Sequence, residues 1–171
     1  MKIHMMMFCA FSLAPLAVSA DPAPKQLERL GSLVGSWKGG GSMAMGKDKA
    51  KLEINADCQP TSAKFGVLCT FHATGMPGMT YEETDLFGYE PNSDTYHWYA
   101  VTNAGETHDH VSKPQSGDHL EFHYTGTQEG KPAKEVITFD FSKDGKTIAT
   151  RSETSVAGAT VATMDFKLTR K

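Results

Sequence analysis

The stretch GSWKGGGSMAMG, residues 35–46, decides how the rest of the chain is read. One tryptophan precedes three consecutive glycines, and two methionines follow with a single residue between them. On a strand, Trp37, Gly39, Gly41, Met43 and Met45 share one face, while Ser36, Lys38, Gly40, Ser42 and Ala44 share the other. A flexible linker would not carry tryptophan and two methionines at period two. A phosphate-binding loop would need a Lys-Ser/Thr pair, and Gly46-Lys47-Asp48 does not supply it. The stretch therefore reads as the first strand of a hollow barrel. Trp37 plugs the floor, the glycines permit the sharp bending that small barrels need, and Met43 and Met45 shape the wall above.

Toward the N-terminus, Lys2, an apolar run from Met5 to Val18 and the small residues Val18-Ser19-Ala20 have the pattern of a secretory signal peptide over residues 1–20. The run is too short and too interrupted for a membrane-spanning helix, and no later window approaches about 20 apolar residues. The mature chain, residues 21–171, is expected to be one exported domain, periplasmic or secreted, with no stable membrane insertion. The full chain carries 17 basic and 20 acidic residues, and losing Lys2 leaves a net charge of about −4. No basic run suits nucleic acid or anionic lipid. Cys9 leaves with the signal, so Cys58 and Cys69 remain for an oxidising compartment, where a disulfide is expected and two buried thiols are the rival.

One short helix is expected in PKQLERLGSLVG, residues 24–35, where Leu27, Leu30 and Leu33 recur every three residues. Beyond it, runs of alternating character are separated by turn sequences such as QPTSAK, GMPGM, EPNSD, NAG, KPQSGD and SKDGK. These mark about ten strands in an all-β, antiparallel, up-and-down barrel, whose closure removes exposed edges. Alternation assigns the inner faces: Ala50, Leu52, Ile54, Ala56 and Cys58; then Phe65, Val67, Cys69, Phe71 and Ala73; then Leu120, Phe122 and Tyr124. Ile137, Phe139 and Phe141 follow, then Ile148, Thr150 and Ser152, and finally Ala162, Met164, Phe166 and Leu168. A register centred on the turn at 61–64 sets Cys58 opposite Cys69.

The segment LGSLVGSWKGGGSM, residues 30–43, resembles the Leu-x-x-Leu-x-Gly-x-Trp-x-Gly-x-Gly opening of nitrobindin-like and other lipocalin-like (calycin) domains. LFGYEPNSDTYHWYAV, residues 86–101, is similar to the Gly-Tyr-Asp-Pro hairpin of the bacterial domain of unknown function 1579, and VATMDFKLTRK fits the closing strand of such domains. The resemblance implies a short helix leading into a ten-stranded ligand-holding barrel. Haem-binding nitrobindins use an axial histidine from a late strand, and here no histidine follows His123. Haem held in that way is not expected.

The polar segment YHWYAVTNAGETHDHV, residues 96–111, carries the candidate chemistry. A three-residue hairpin loop at Asn103-Ala104-Gly105 pairs Ala100 with His108 and Trp98 with His110. That puts Trp98, His108 and His110 on one face, and His97, Tyr99 and Asp109 on the other. Two histidines at i and i+2 can chelate zinc or copper if a third ligand exists, with Glu83, Asp85 and Glu106 as candidates. The alternatives are a hydrogen-bonded polar patch at a barrel mouth or on the outside, and a direct role in gripping a ligand. Met43, Met45, Met76 and Met79 are soft ligands of the type that select Cu(I), although methionine is more commonly a flexible filler of apolar cavities, and the GMPGM loop suits a mobile lid or rim rather than a dedicated site. His72, His119 and His123 alternate away from apolar neighbours and should face solvent.

Catalysis is not expected. Neither Gly-x-Ser-x-Gly nor His-Glu-x-x-His is present, and the carboxylates near Glu82, Glu83 and Asp85 read equally as a polar strand face. The expected function is an exported, non-catalytic barrel, monomeric or a weak homodimer, holding a small apolar or amphipathic molecule without a cofactor. Trp37, Met43, Met45, Phe71, Trp98, Phe122, Phe139, Met164 and Phe166 are the expected ligand-binding set. A metal-binding protein using His108 and His110 and a packed structural or interaction domain are the alternatives.

Overall fold

The computed structural model describes residues 25–62, 65–76 and 78–171; the signal peptide expected at 1–20 lies outside the described residues. One helix, α1 (Lys25–Gly31), precedes ten strands: β1 (Gly35–Met45), β2 (Asp48–Pro60), β3 (Gly66–Thr74), β4 (Tyr81–Glu90) and β5 (Thr95–Thr102). These are followed by β6 (Thr107–Ser112), β7 (His119–Gln128), β8 (Lys131–Phe141), β9 (Thr147–Val156) and β10 (Ala159–Arg170). Each strand pairs antiparallel with its sequence neighbours, and β10 returns to β1 to close the ring. No helix among the described residues is long and apolar enough to cross a membrane.

Closure depends on the glycines of β1. Gly41 lies opposite Phe166 on β10 and Leu52 on β2, and Gly39 lies opposite Leu168 and Ile54. A Cβ on Gly41 would collide with the Asp165 carbonyl oxygen and the main chain of Phe166. The bulky neighbours thus occupy the room that glycine leaves, and β1 can approach both flanking strands closely.

The floor is closed from below by α1. Leu27, Leu30 and Leu33 are buried against the barrel, and Trp37 is 1% exposed, its indole N–H donating to the Leu33 carbonyl at 2.7 Å. The Tyr96 hydroxyl donates to the Gln26 carbonyl at 3.0 Å, and Arg29 donates to the His119 carbonyl at 2.7 Å. Arg170 lies over the Trp37 ring at 4.3 Å and donates to the Gly145, Ser32 and Val34 carbonyls. A cation over an indole face adds electrostatic attraction to these bonds.

Above the floor, Phe87, Trp98, Phe122 and Phe139 pack ring against ring, with centroids 5.2–6.3 Å apart. Cys58 and Cys69 face each other across β2 and β3 and form a disulfide, as the turn-centred register requires. Constraining the unfolded chain in this way typically contributes about 2–4 kcal/mol. The inner faces follow the alternation except at Phe65, which precedes the start of β3 and is exposed. One joint in the ring is sparse: among the described residues β6 and β7 are registered only at Val111 and His123.

Candidate functional site

The aromatic cluster fills only part of the interior. Beside it and above it lies a cavity of about 670 Å³, bordered low down by Leu33, Trp37, Ile148 and Leu168 and at its mouth by Met45, Glu106 and Glu129. Of the expected ligand-binding set, Trp37, Met45, Phe71, Trp98, Phe139, Met164 and Phe166 border it. Two residues are placed differently. Phe122 is fully buried behind the wall because its ring is taken up by Phe87, Trp98 and Phe139, and Met43 packs against the core opposite Met164. Met45 borders the rim rather than the wall, 58% exposed, because β1 ends there at the Gly46 turn.

The hairpin of β5 and β6 has the register read from the sequence, Trp98 opposite His110 and Ala100 opposite His108, with Gly105 at φ 82° in its turn. His108 and His110 therefore point inward, while His97 and Asp109 bond to each other outside at 3.1 Å. The indole of Trp98 stacks on His110 with centroids 4.7 Å apart, and Tyr124 stacks on His108 at 4.0 Å. Outside the barrel, His72, His119 and His123 pair with Glu82, Asp140 and Glu121.

The third residue beside the two histidines corrects the expectation. It is Glu135 of β8, not Glu83, Asp85 or Glu106. Glu135 Oε2 lies 2.9 Å from His110 Nε2 and 3.8 Å from His108 Nδ1, and the Thr154 hydroxyl donates to Oε1 at 3.1 Å. Glu106 sits in the exposed β5–β6 turn, and Glu83 and Asp85 enter the cavity from β4. The sequence did hold a signal for Glu135: it stands two positions before Ile137 and four before Phe139, on the same inner face.

Glu83 and Asp85 form a second polar group. Alternation along β4 carries Tyr81, Glu83, Asp85 and Phe87 to one face, and Asp85 accepts the Trp98 indole N–H at 2.7 Å. Burial pushes the Asp85 carboxyl up to about 6, against the lowering effect of the Trp98 hydrogen bond. Burial, reinforced by the Asp85 charge beside it, holds Glu83 well above the usual carboxylate range, and the same two causes with Glu83 as neighbour raise Tyr81. Glu135 is also buried, but its hydrogen bond and attraction to His110 outweigh burial and leave its carboxyl below its ordinary value. Apart from exposed Lys134, no lysine or arginine among the described residues borders the cavity.

Fold and site together define a closed ten-stranded antiparallel barrel with an internal cavity, apolar toward its floor and acidic along one side. No protein-family model matches the chain, and comparison with curated proteins finds no match.

Proposed function

We propose that this chain is an exported, non-catalytic, lipocalin-like barrel of the kind its opening motif resembles, and that it holds one small amphipathic molecule in its cavity. The single observation that supports this most is the cavity of about 670 Å³, within the range of small-molecule sites, with an apolar lower wall and a few polar groups that converge on it. Its apolar wall offers roughly 25 cal/mol for each Å² of ligand surface removed from water. The ligand's apolar body lies toward Trp37, Phe71 and Phe166. Its polar head donates hydrogen bonds, or carries a positive charge, toward Glu83 and Asp85, because among the described residues no lysine or arginine reaches these carboxyls and, of the two, His110 acts only on Asp85. The disulfide suits an oxidising compartment, which supports export.

Titration with Nile red, a neutral apolar dye, and with a dansylated alkylamine tests this reading on the mature protein. One dye per chain is expected, with a change in Trp98 emission, tighter binding of the amine, and loss of both in Ala162→Trp, which fills the upper cavity. A protein that binds neither dye and shows no rise in Tm with either would instead fit an interaction domain.

A further inference from the structure

We propose that His108, His110 and Glu135 form a binding site for a zinc-type divalent transition-metal ion on the cavity wall. One donor atom from each residue lies within 4.8 Å of the other two. A tetrahedral zinc site with ligand bonds of about 2.0–2.1 Å has donor atoms about 3.3 Å apart. The separations of 2.9 Å from His110 Nε2 and 3.8 Å from His108 Nδ1 to the same Glu135 oxygen bracket that value. Small rotations of the His108 ring and the Glu135 carboxylate are enough to reach it.

The surroundings hold the donors in place. Period two on β6 sends both imidazoles inward, and the rings of Tyr124 and Trp98 stack on them and limit their rotation. Thr154 anchors the second Glu135 oxygen, the kind of outer hydrogen bond that orients a ligating carboxylate. Two imidazoles and a carboxylate favour zinc-type ions over magnesium or calcium, which prefer all-oxygen shells. Three protein ligands leave a fourth position, and His108, the most exposed of the three at 26%, faces the cavity. Met43 and Met164 do not join this site: they sit together on β1 and β10, elsewhere around the ring. The metal site needs only its three side chains and does not depend on the organic ligand.

The mature protein, stripped with a chelator and then titrated with Zn²⁺ and with Co²⁺, gives the test. One ion per chain is expected, with the visible absorption of four-coordinate Co²⁺. His108→Ala and Glu135→Gln should each weaken binding at least tenfold; Gln at 135 keeps an acceptor for Thr154 and a partner for His110, so the fold is retained. A His119→Ala/His123→Ala protein, altered only on the outer face, should bind as before. Substoichiometric binding, binding that survives both inner substitutions, or binding lost in the outer pair would overturn the site. Nile red titration of the stripped protein reports on the cavity separately, so a failure there would count against the organic ligand and not the metal.

Discussion

The two ends of the barrel solve opposite problems. At the floor, strong polar groups have partners: the Trp37 indole, the Tyr96 hydroxyl and the Arg29 and Arg170 guanidiniums all donate to main-chain carbonyls. Around the cavity, Glu83 and Asp85 are buried side by side with no lysine or arginine beside them, and among the described residues the Thr150 hydroxyl and His110 Nδ1 have no hydrogen-bond partner. Buried polar groups normally find partners, and leaving them without costs stability. Satisfied polar groups thus gather beneath the cavity, and unmet polar capacity gathers on its side wall, where a ligand would sit.

The ring that both ends share can be broken most severely midway along β1. Gly41→Val forces a side chain into the β10 main chain and should cost about 3 kcal/mol or more, read as loss of a cooperative melting transition or a large fall in Tm. The next effect comes from pH. A carboxyl with a raised folded-state pKa binds more protons folded than unfolded, so the stability it contributes is present at low pH and lost as pH rises. For Asp85 the loss runs from its ordinary value of 3.8 to about 6, and for Glu83 it extends higher. Denaturant melts should therefore give a protein about 1–3 kcal/mol more stable at pH 5 than at pH 8. Glu135 acts with the opposite sign: its contribution is present above its ordinary value of 4.5 and lost only as pH falls below it, so Glu135→Gln should lower stability throughout that range.

Smaller effects sharpen the same comparison. Arg170→Ala removes main-chain hydrogen bonds and the cation over Trp37 and should lower stability by about 1–2 kcal/mol, with Nile red affinity unchanged. Glu83→Gln should do the reverse. Relieving a buried pair of like charges should raise stability at pH 8 by up to about 1 kcal/mol while weakening the dansylated amine severalfold. A loss of stability in Glu83→Gln at pH 8, or a loss of dye binding in Arg170→Ala, would dissolve the division between the two ends.

Most of this fold could be read from local rules. Period two gave the inner faces, the Asn103-Ala104-Gly105 loop gave the β5–β6 register, and two cysteines on like faces flanking one turn gave the disulfide. Phe65 departs from the inner set because the apolar alternation starts one residue before the point where pairing of β3 begins. The site was only half legible. Alternation puts Glu83 and Asp85 on one face, but a strand with charges on both faces does not announce which one is inside; Phe87, two residues on, is the residue that decides it. Glu135 is hidden because the apolar alternation of its strand begins only at Ile137, two residues further on. Cavity size was out of reach, since it depends on how far rings such as Phe122 fill the interior.

The joint between β6 and β7 gives the ring a mechanical character. A hoop is as stiff as its weakest fastening, and here nine joints are laced along several residues while one is tacked at Val111 and His123. Amide hydrogens of β6 and β7 should exchange with solvent sooner than those of β1 and β10, because local opening begins where the fewest bonds must break together. His108, His110 and the Tyr124 ring that stacks on His108 ride on those two strands, so two of the three proposed metal donors lie on the part of the wall expected to open first, and the third, Glu135, lies on β8.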